Sequence, residues 1–102
     1  MIEYNRQNAS ELLKNNVLFV DFWAPWCGPC RALGPIYEEL AKEFEGKAVF
    51  AKCNADTDST FVMRHGVSGI PCIICFAGGK EVDRSVGFLP KEDLELFIQR
   101  NI

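Results

Sequence analysis

The sequence predicts an α/β fold: a central mixed β-sheet flanked by helices, with a C-terminal β-hairpin and helix. Three observations predict it. Val17 to Trp23 (VLFVDFW) is a near-continuous run of apolar, β-branched and aromatic residues, the pattern of a central strand buried on both faces. Apolar residues then recur at three- and four-residue spacing from Ala32 to Phe44, as they do along one face of a helix. A second apolar run, Cys72 to Ala77, is followed at once by the tight-turn pair Gly78-Gly79, so the next strand returns antiparallel. Strands joined through helices and a strand joined through a tight turn together require a mixed sheet.

The elements follow in order. Ile2 to Tyr4 is a short leading segment, and a first helix covers about Ala9 to Lys14. The central strand hands over at Trp26-Cys27-Gly28-Pro29-Cys30 to the long helix, which turns Ala32, Leu33, Ile36, Tyr37, Leu40, Ala41 and Phe44 inward and ends near Gly46. Pro35 should kink it early, because proline has no N–H to donate to the preceding turn. Ala48 to Cys53 alternates as a strand, and Thr57 to His65 makes a short helix before Gly66. After the glycine turn, Glu81 to Gly87 returns as the second hairpin strand. From Pro90 a last helix, with proline in its first turn, carries Leu94, Leu96, Phe97 and Ile98 towards the core.

A chain of 102 residues can bury one core without staples, and no repeat or Pro/Gly/Ser linker divides it, so residues 1–102 are expected to form a single domain. With 48% apolar and 25% charged residues, neither a disordered nor a membrane class fits. The net charge is −3 and the lysines and arginines are scattered, which argues against nucleic acid or anionic lipid as partner. Met1 to Ser10 lacks the features of a secretory signal, which favours a cytoplasmic protein, although a mature exported chain would look the same. Five cysteines cannot all pair internally, so cysteine here points to chemistry and not to a disulfide framework.

That chemistry centres on Cys27 and Cys30. They fall in the first turn of the long helix at positions i and i+3, where their Cα atoms come within disulfide reach. The same turn offers unpaired backbone N–H groups and the positive end of the helix dipole, both of which favour a thiolate at Cys27. Cys27 is therefore the expected nucleophile. Cys30, deeper in the helix, is the expected resolving thiol that breaks the mixed disulfide. Gly28 and Pro29 suit the turn between them, and neither a metal nor an organic cofactor is needed.

The segment Val20-Asp21-Phe22-Trp23-Ala24-Pro25-Trp26-Cys27-Gly28-Pro29-Cys30 resembles the active-site segment of the thioredoxin family. The likeness continues through Pro35, through Lys52 with Asn54 and Asp56, through Gly69-Ile70-Pro71, and through Gly79 and Gly87, covering nearly the whole chain. It implies the thioredoxin fold and a protein disulfide reductase. It further implies a cis Ile70–Pro71 bond facing the cysteine pair, with the backbone of Ile70 pairing with an extended substrate segment. Asp21 is implied as a buried proton acceptor for Cys30 with Lys52 beside it, a role that desolvation of a carboxylate in an apolar strand supports. From the residues alone, Asp21 also reads as an exposed or capping strand-end acid. Trp23, Trp26, Gly69, Ile70, Pro71 and Gly87 are implied as the substrate-binding rim, although Trp23 also reads as ordinary core.

By the same likeness no cofactor is bound, and electrons come from a thioredoxin reductase that uses NADPH. The implied partners are that reductase and disulfide-containing proteins, such as ribonucleotide reductase, peroxiredoxins and methionine sulfoxide reductases, met by a monomer that binds neither nucleic acid nor membrane.

Cys72 departs from the family pattern, which has threonine after the proline. It reads either as a regulatory thiol near the active pair or as an inert small hydrophobe. Cys53 and Cys75 read as core, and His65, which closes the short helix, as a solvated or C-terminal helix residue and not as a ligand or base. The pairs Cys27-x-x-Cys30 and Cys72-x-x-Cys75 also raise a four-thiolate metal module, but 41 residues separate them and two strand residues three apart point to opposite faces. A last alternative keeps the fold and changes the task to a disulfide oxidase or isomerase in an exported compartment, or to an idle binding domain. The intact cysteine pair argues against the idle domain, and Gly28-Pro29 resembles the reducing members.

Overall fold

Val17–Trp23 occupies the middle of the sheet in a computed structural model that describes residues 1–102. The chain runs β1 (Ile2–Glu3), α1 (Ala9–Leu12), β2 (Val17–Trp23), α2 (Gly28–Glu43), β3 (Val49–Asn54), α3 (Ser59–Arg64), β4 (Cys72–Ala77), β5 (Lys80–Val86) and α4 (Lys91–Gln99). The five strands lie in the order β1-β3-β2-β4-β5. The first three are parallel, and β4 and β5 are each antiparallel to their inner neighbour, which is the mixed sheet expected. The hairpin turn is Gly78-Gly79, whose φ angles of +59° and +82° are ones that glycine adopts without steric cost.

Alternation along the strands sorts the core into two layers. Leu18, Val20 and Phe22 of β2, with Cys53 of β3 and Cys72, Ile74 and Phe76 of β4, pack against Tyr4, α1 and α3. Phe19 of β2, with Ile73 and Cys75 of β4, packs on the other face against Leu33, Tyr37 and Leu40 of α2 and Leu94, Phe97 and Ile98 of α4. Asp21 has the parity of Phe19, so β2 turns a carboxylate towards α2.

Several expected boundaries move. Helix α3 starts at Ser59 because the Asp58 carboxylate accepts from the Phe61 N–H at 3.1 Å, and Thr57 stays in the preceding turn with its hydroxyl on the Asn54 carbonyl. Strand β3 begins and ends one residue later than expected, since its ladder with β2 extends to Trp23↔Asn54. Helix α2 runs through Pro35 as one element and stops at Glu43, short of Gly46. Pro90 caps α4 from outside instead of lying in its first turn. Leu96 is not core: it is 62% exposed, because Leu94, Phe97 and Ile98 define the inward stripe and Leu96 falls off it. Ala32 is exposed on α2 for the same reason.

Candidate active site

The site is built where β2 ends and α2 begins. Cys27 is the N-cap residue of α2, with extended backbone angles, and its sulfur accepts from the Cys30 N–H at 3.2 Å. Pro29 sits in the first turn, where the missing N–H costs no helix bond. Cys27 and Cys30 form a disulfide with Cα atoms 5.2 Å apart. Cys27 is 6% exposed and Cys30 2%, so Cys27 is the more accessible of the two.

A second segment faces the sulfurs. The Ile70–Pro71 peptide bond is cis, and the Ile70 carbonyl oxygen lies 3.9 Å from Cys27 Sγ. Gly87, at φ +99°, donates its N–H to the Pro71 carbonyl at 2.7 Å and ties this loop to the end of β5. Gly69 leaves little room, since a Cβ there would lie 3.3 Å from Val86 Cγ1. Ile70 and Trp23 pack against the small cluster of Ala24, Cys27 and Cys30. Trp26 stands out into solvent at 68% exposure. Its indole N–H points to the Asp56 carboxylate at 3.0 Å and 3.1 Å, which fixes the ring beside Cys27. Asp56 appears in the sequence only as part of a motif; the partner it finds is 30 residues away.

Asp21 is buried at 3% exposure, which rules out the exposed strand-end reading, and its Oδ1 has no hydrogen-bond partner. Burial pushes its pKa up to about 7, the Lys52 charge opposing that rise and the Glu38 charge adding to it. Lys52 is the cross-strand neighbour of Asp21, yet the two form no ion pair; its ammonium instead lies 4.9 Å over the Trp23 ring. Trp23 is half-buried and its own indole N–H is unpartnered. Asp21, Trp23, Cys30 and Lys52 line one cavity of about 210 Å³, together with Arg31, Gly34, Pro35, Tyr37 and Glu38. Tyr37 is wholly buried, its hydroxyl 2.8 Å from the Ala51 carbonyl and 3.0 Å from that of Phe19. Nothing in the sequence distinguishes Tyr37 or Glu38 from an ordinary core residue and an ordinary surface acid.

The remaining thiols lie elsewhere. Cys72 is wholly buried and packs in the Tyr4–Phe22 layer, not with Cys27 and Cys30, and burial pushes its thiol pKa up. Cys53 shares that layer with its pKa pushed up to about 12, and Cys75 lies in the opposite layer with its pKa at about 11. Cys72 and Cys75 therefore face opposite ways, which argues against the four-thiolate module. His65 closes α3 at its C-terminus, one of the two settings expected for it, and is half-buried: it packs among Phe22, Phe61 and Phe76, with Nε2 3.1 Å from the Tyr4 hydroxyl. No helix is long and apolar enough to cross a membrane.

Known proteins share this arrangement. The thioredoxin family model matches residues 1–100. Thioredoxin 2 of Chlorobaculum tepidum is 49% identical over 83 residues, covering 81% of this chain and 76% of that protein. The chloroplastic thioredoxin M4 of Arabidopsis thaliana is 44% identical over 92 residues, covering 89% of this chain and 48% of that one. The solved structure of a single-site mutant of thioredoxin from Halobacterium salinarum superposes with a TM-score of 0.88 at 30% identity, covering 98% of this chain and 88% of that one. A cysteine pair closed across the first turn of α2, on this sheet and with these relatives, leaves one conclusion: the chain belongs to the thioredoxin family and is a dithiol–disulfide oxidoreductase that works through Cys27 and Cys30.

Proposed function

We propose that the protein reduces disulfides of other proteins, with Cys27 as nucleophile, Cys30 as resolving thiol, Asp21 as proton acceptor and Lys52 as its charged neighbour. The observation that carries this reading is the different setting of the two sulfurs. Cys27 sits at a helix N-terminus, where an N–H donates to its sulfur, and faces the Ile70–Pro71 loop; Cys30 lines the cavity that holds Asp21.

In the reduced protein the Cys27 thiolate attacks one sulfur of the substrate disulfide. That bond breaks, a mixed disulfide forms, and the departing substrate sulfur takes up a proton. Cys30 then gives its proton to the Asp21 carboxylate and attacks Cys27 Sγ. The second substrate sulfur leaves and is protonated in turn, so two electrons and two protons have passed to the substrate. Trp26, Trp23, Gly69, Ile70, Pro71 and Gly87 form the apolar rim on which the substrate segment docks, its backbone along Ile70, while Gly28 and Pro29 hold the turn. A thioredoxin reductase drawing on NADPH restores the dithiol. Residues 1–102 act as one domain, as a monomer, in the cytoplasm. Ribonucleotide reductase, peroxiredoxins and methionine sulfoxide reductases represent its substrate class.

Two variants test the roles. Cys30→Ser should accumulate mixed disulfides with substrate proteins, and Cys27→Ser should form none and lose turnover. Full dithiol turnover by Cys27→Ser would overturn the assignment. A redox titration against glutathione separates the direction of use: a pair more reducing than the glutathione pool fits a reductase, and a markedly oxidising pair fits an exported oxidase or isomerase.

A further inference from the structure

The cavity beside Cys30 contains more charge than the exchange reaction accounts for. Along α2, Cys30, Gly34 and Glu38 are spaced four residues apart and so share the face that closes the cavity. The groups facing Asp21 are Cys30, Arg31, Tyr37 and Glu38 of α2 and Lys52 of β3, and the Cys72 thiol of β4 lies near enough to sense its charge. Nearly every donor among them is engaged elsewhere. The Tyr37 hydroxyl is spent on the Ala51 and Phe19 carbonyls. Arg31 donates to the Pro25 carbonyl at 3.1 Å, and the Lys52 ammonium lies over the Trp23 ring.

Glu38 differs from its neighbours on the helix. Glu39 and Glu43 both pair with Lys91, at 2.9 Å and 3.6 Å, whereas Glu38 makes neither an ion pair nor a hydrogen bond. Its carboxylate is exposed at the solvent side of a cavity whose inner end is an unpartnered carboxyl oxygen. At Gly34, between them, a Cβ would meet nothing within 4 Å, so no protein atom fills the space along that wall.

We propose that Glu38 is a positioning residue for the proton-transfer step: its charge at the cavity mouth works against ionisation of Asp21 and so makes the Asp21 carboxylate a stronger base towards Cys30. The direction follows from like charge, since a second carboxylate facing the same low-dielectric space penalises ionisation of the first. Lys52 pulls the other way, so the two groups at the cavity tune Asp21 in opposite senses. The inference rests on Asp21 being the proton acceptor.

The test follows the Asp21 carboxyl itself, by its ¹³C chemical shift against pH in the reduced full chain. Glu38→Gln should lower the midpoint by on the order of half a pH unit at low salt. Glu38→Asp should retain most of the parent value, and Lys52→Met should raise it. The Glu38→Gln difference should shrink in 1 M salt, where the Debye length falls to about 3 Å, which a purely structural change would not do. An unchanged midpoint in Glu38→Gln, with Lys52→Met still shifted, overturns the role of Glu38 and leaves that of Asp21 standing. A midpoint in the ordinary carboxylate range in the parent protein overturns both.

Discussion

Asp21 is the one charged side chain that folding removes almost wholly from water, and it has no ion pair to offset the loss. Burial lifts its pKa from 3.8 to about 7, so between these values the folded protein holds a proton that the unfolded chain has released. Stability should therefore fall as pH rises through this window, and above pH 7 the penalty is complete at roughly 4 kcal/mol. Asp21→Asn removes the penalty. We expect the variant to be more stable than its parent by several kcal/mol at pH 8 and little different near pH 4, read from urea unfolding of the reduced proteins. An equal gain at both pH values would assign the effect to packing. If Asp21 is the proton acceptor proposed above, the same substitution should also slow resolution of mixed disulfides, and the residue that costs stability is then the one the chemistry uses.

Helix α2 must be held at a fixed distance from β2 for Cys30 and Asp21 to line one cavity. Tyr37 supplies the tie, its single hydroxyl in reach of a carbonyl on β2 two residues before Asp21 and another on β3 one residue before Lys52. Tyr37→Phe keeps the ring and its edge contact with Phe50 but leaves both carbonyls without that donor, and should cost about 1–3 kcal/mol in urea unfolding. A loss below about 0.5 kcal/mol would mean that the strand ladder alone satisfies them. Tyr37 also marks where sequence reasoning stops. Periodicity places it on the inward face of α2, and it is there; which carbonyls its hydroxyl finds depends on β2 and β3 lying side by side. Strands β2 and β4 are legible to the residue because their apolar runs end abruptly. The start of α3 is not, because a side-chain cap at Asp58 sets it, and Leu96 misleads because an apolar residue in a helix reads as core until the stripe is fixed in space. In the site, the Cys-Gly-Pro-Cys pair can be read in advance, whereas the burial of Asp21 comes only with the family resemblance, since the residues alone also fit an exposed strand-end acid. The Trp26–Asp56 bond, the cavity and Glu38 cannot, since each joins elements distant in the chain.

Across the whole molecule the sheet separates two classes of cysteine. The redox pair sits at the end of β2, beside the loop that carries Pro71, while Cys53, Cys72 and Cys75 are sealed in the two core layers. Cys53 and Cys72 flank Phe22 from β3 and β4 on the same face. Two strand spacings put their Cα atoms about 9–10 Å apart, beyond the roughly 7 Å limit for a disulfide, so they cannot bridge in the folded state. Their raised thiol pKa values suppress the reactive thiolate as well. Brief alkylation of the reduced native protein should therefore label Cys27 first and Cys30 slowly, leaving the other three unmodified. Those three should react together only as denaturant unfolds the chain, with the same midpoint as the loss of circular dichroism, because opening either layer means opening the sheet. If Cys72 alone were labelled under native conditions, at a rate independent of denaturant, local motion would be connecting it to the surface. It would then be a regulatory thiol within reach of the active pair, and not the inert core residue that its packing describes.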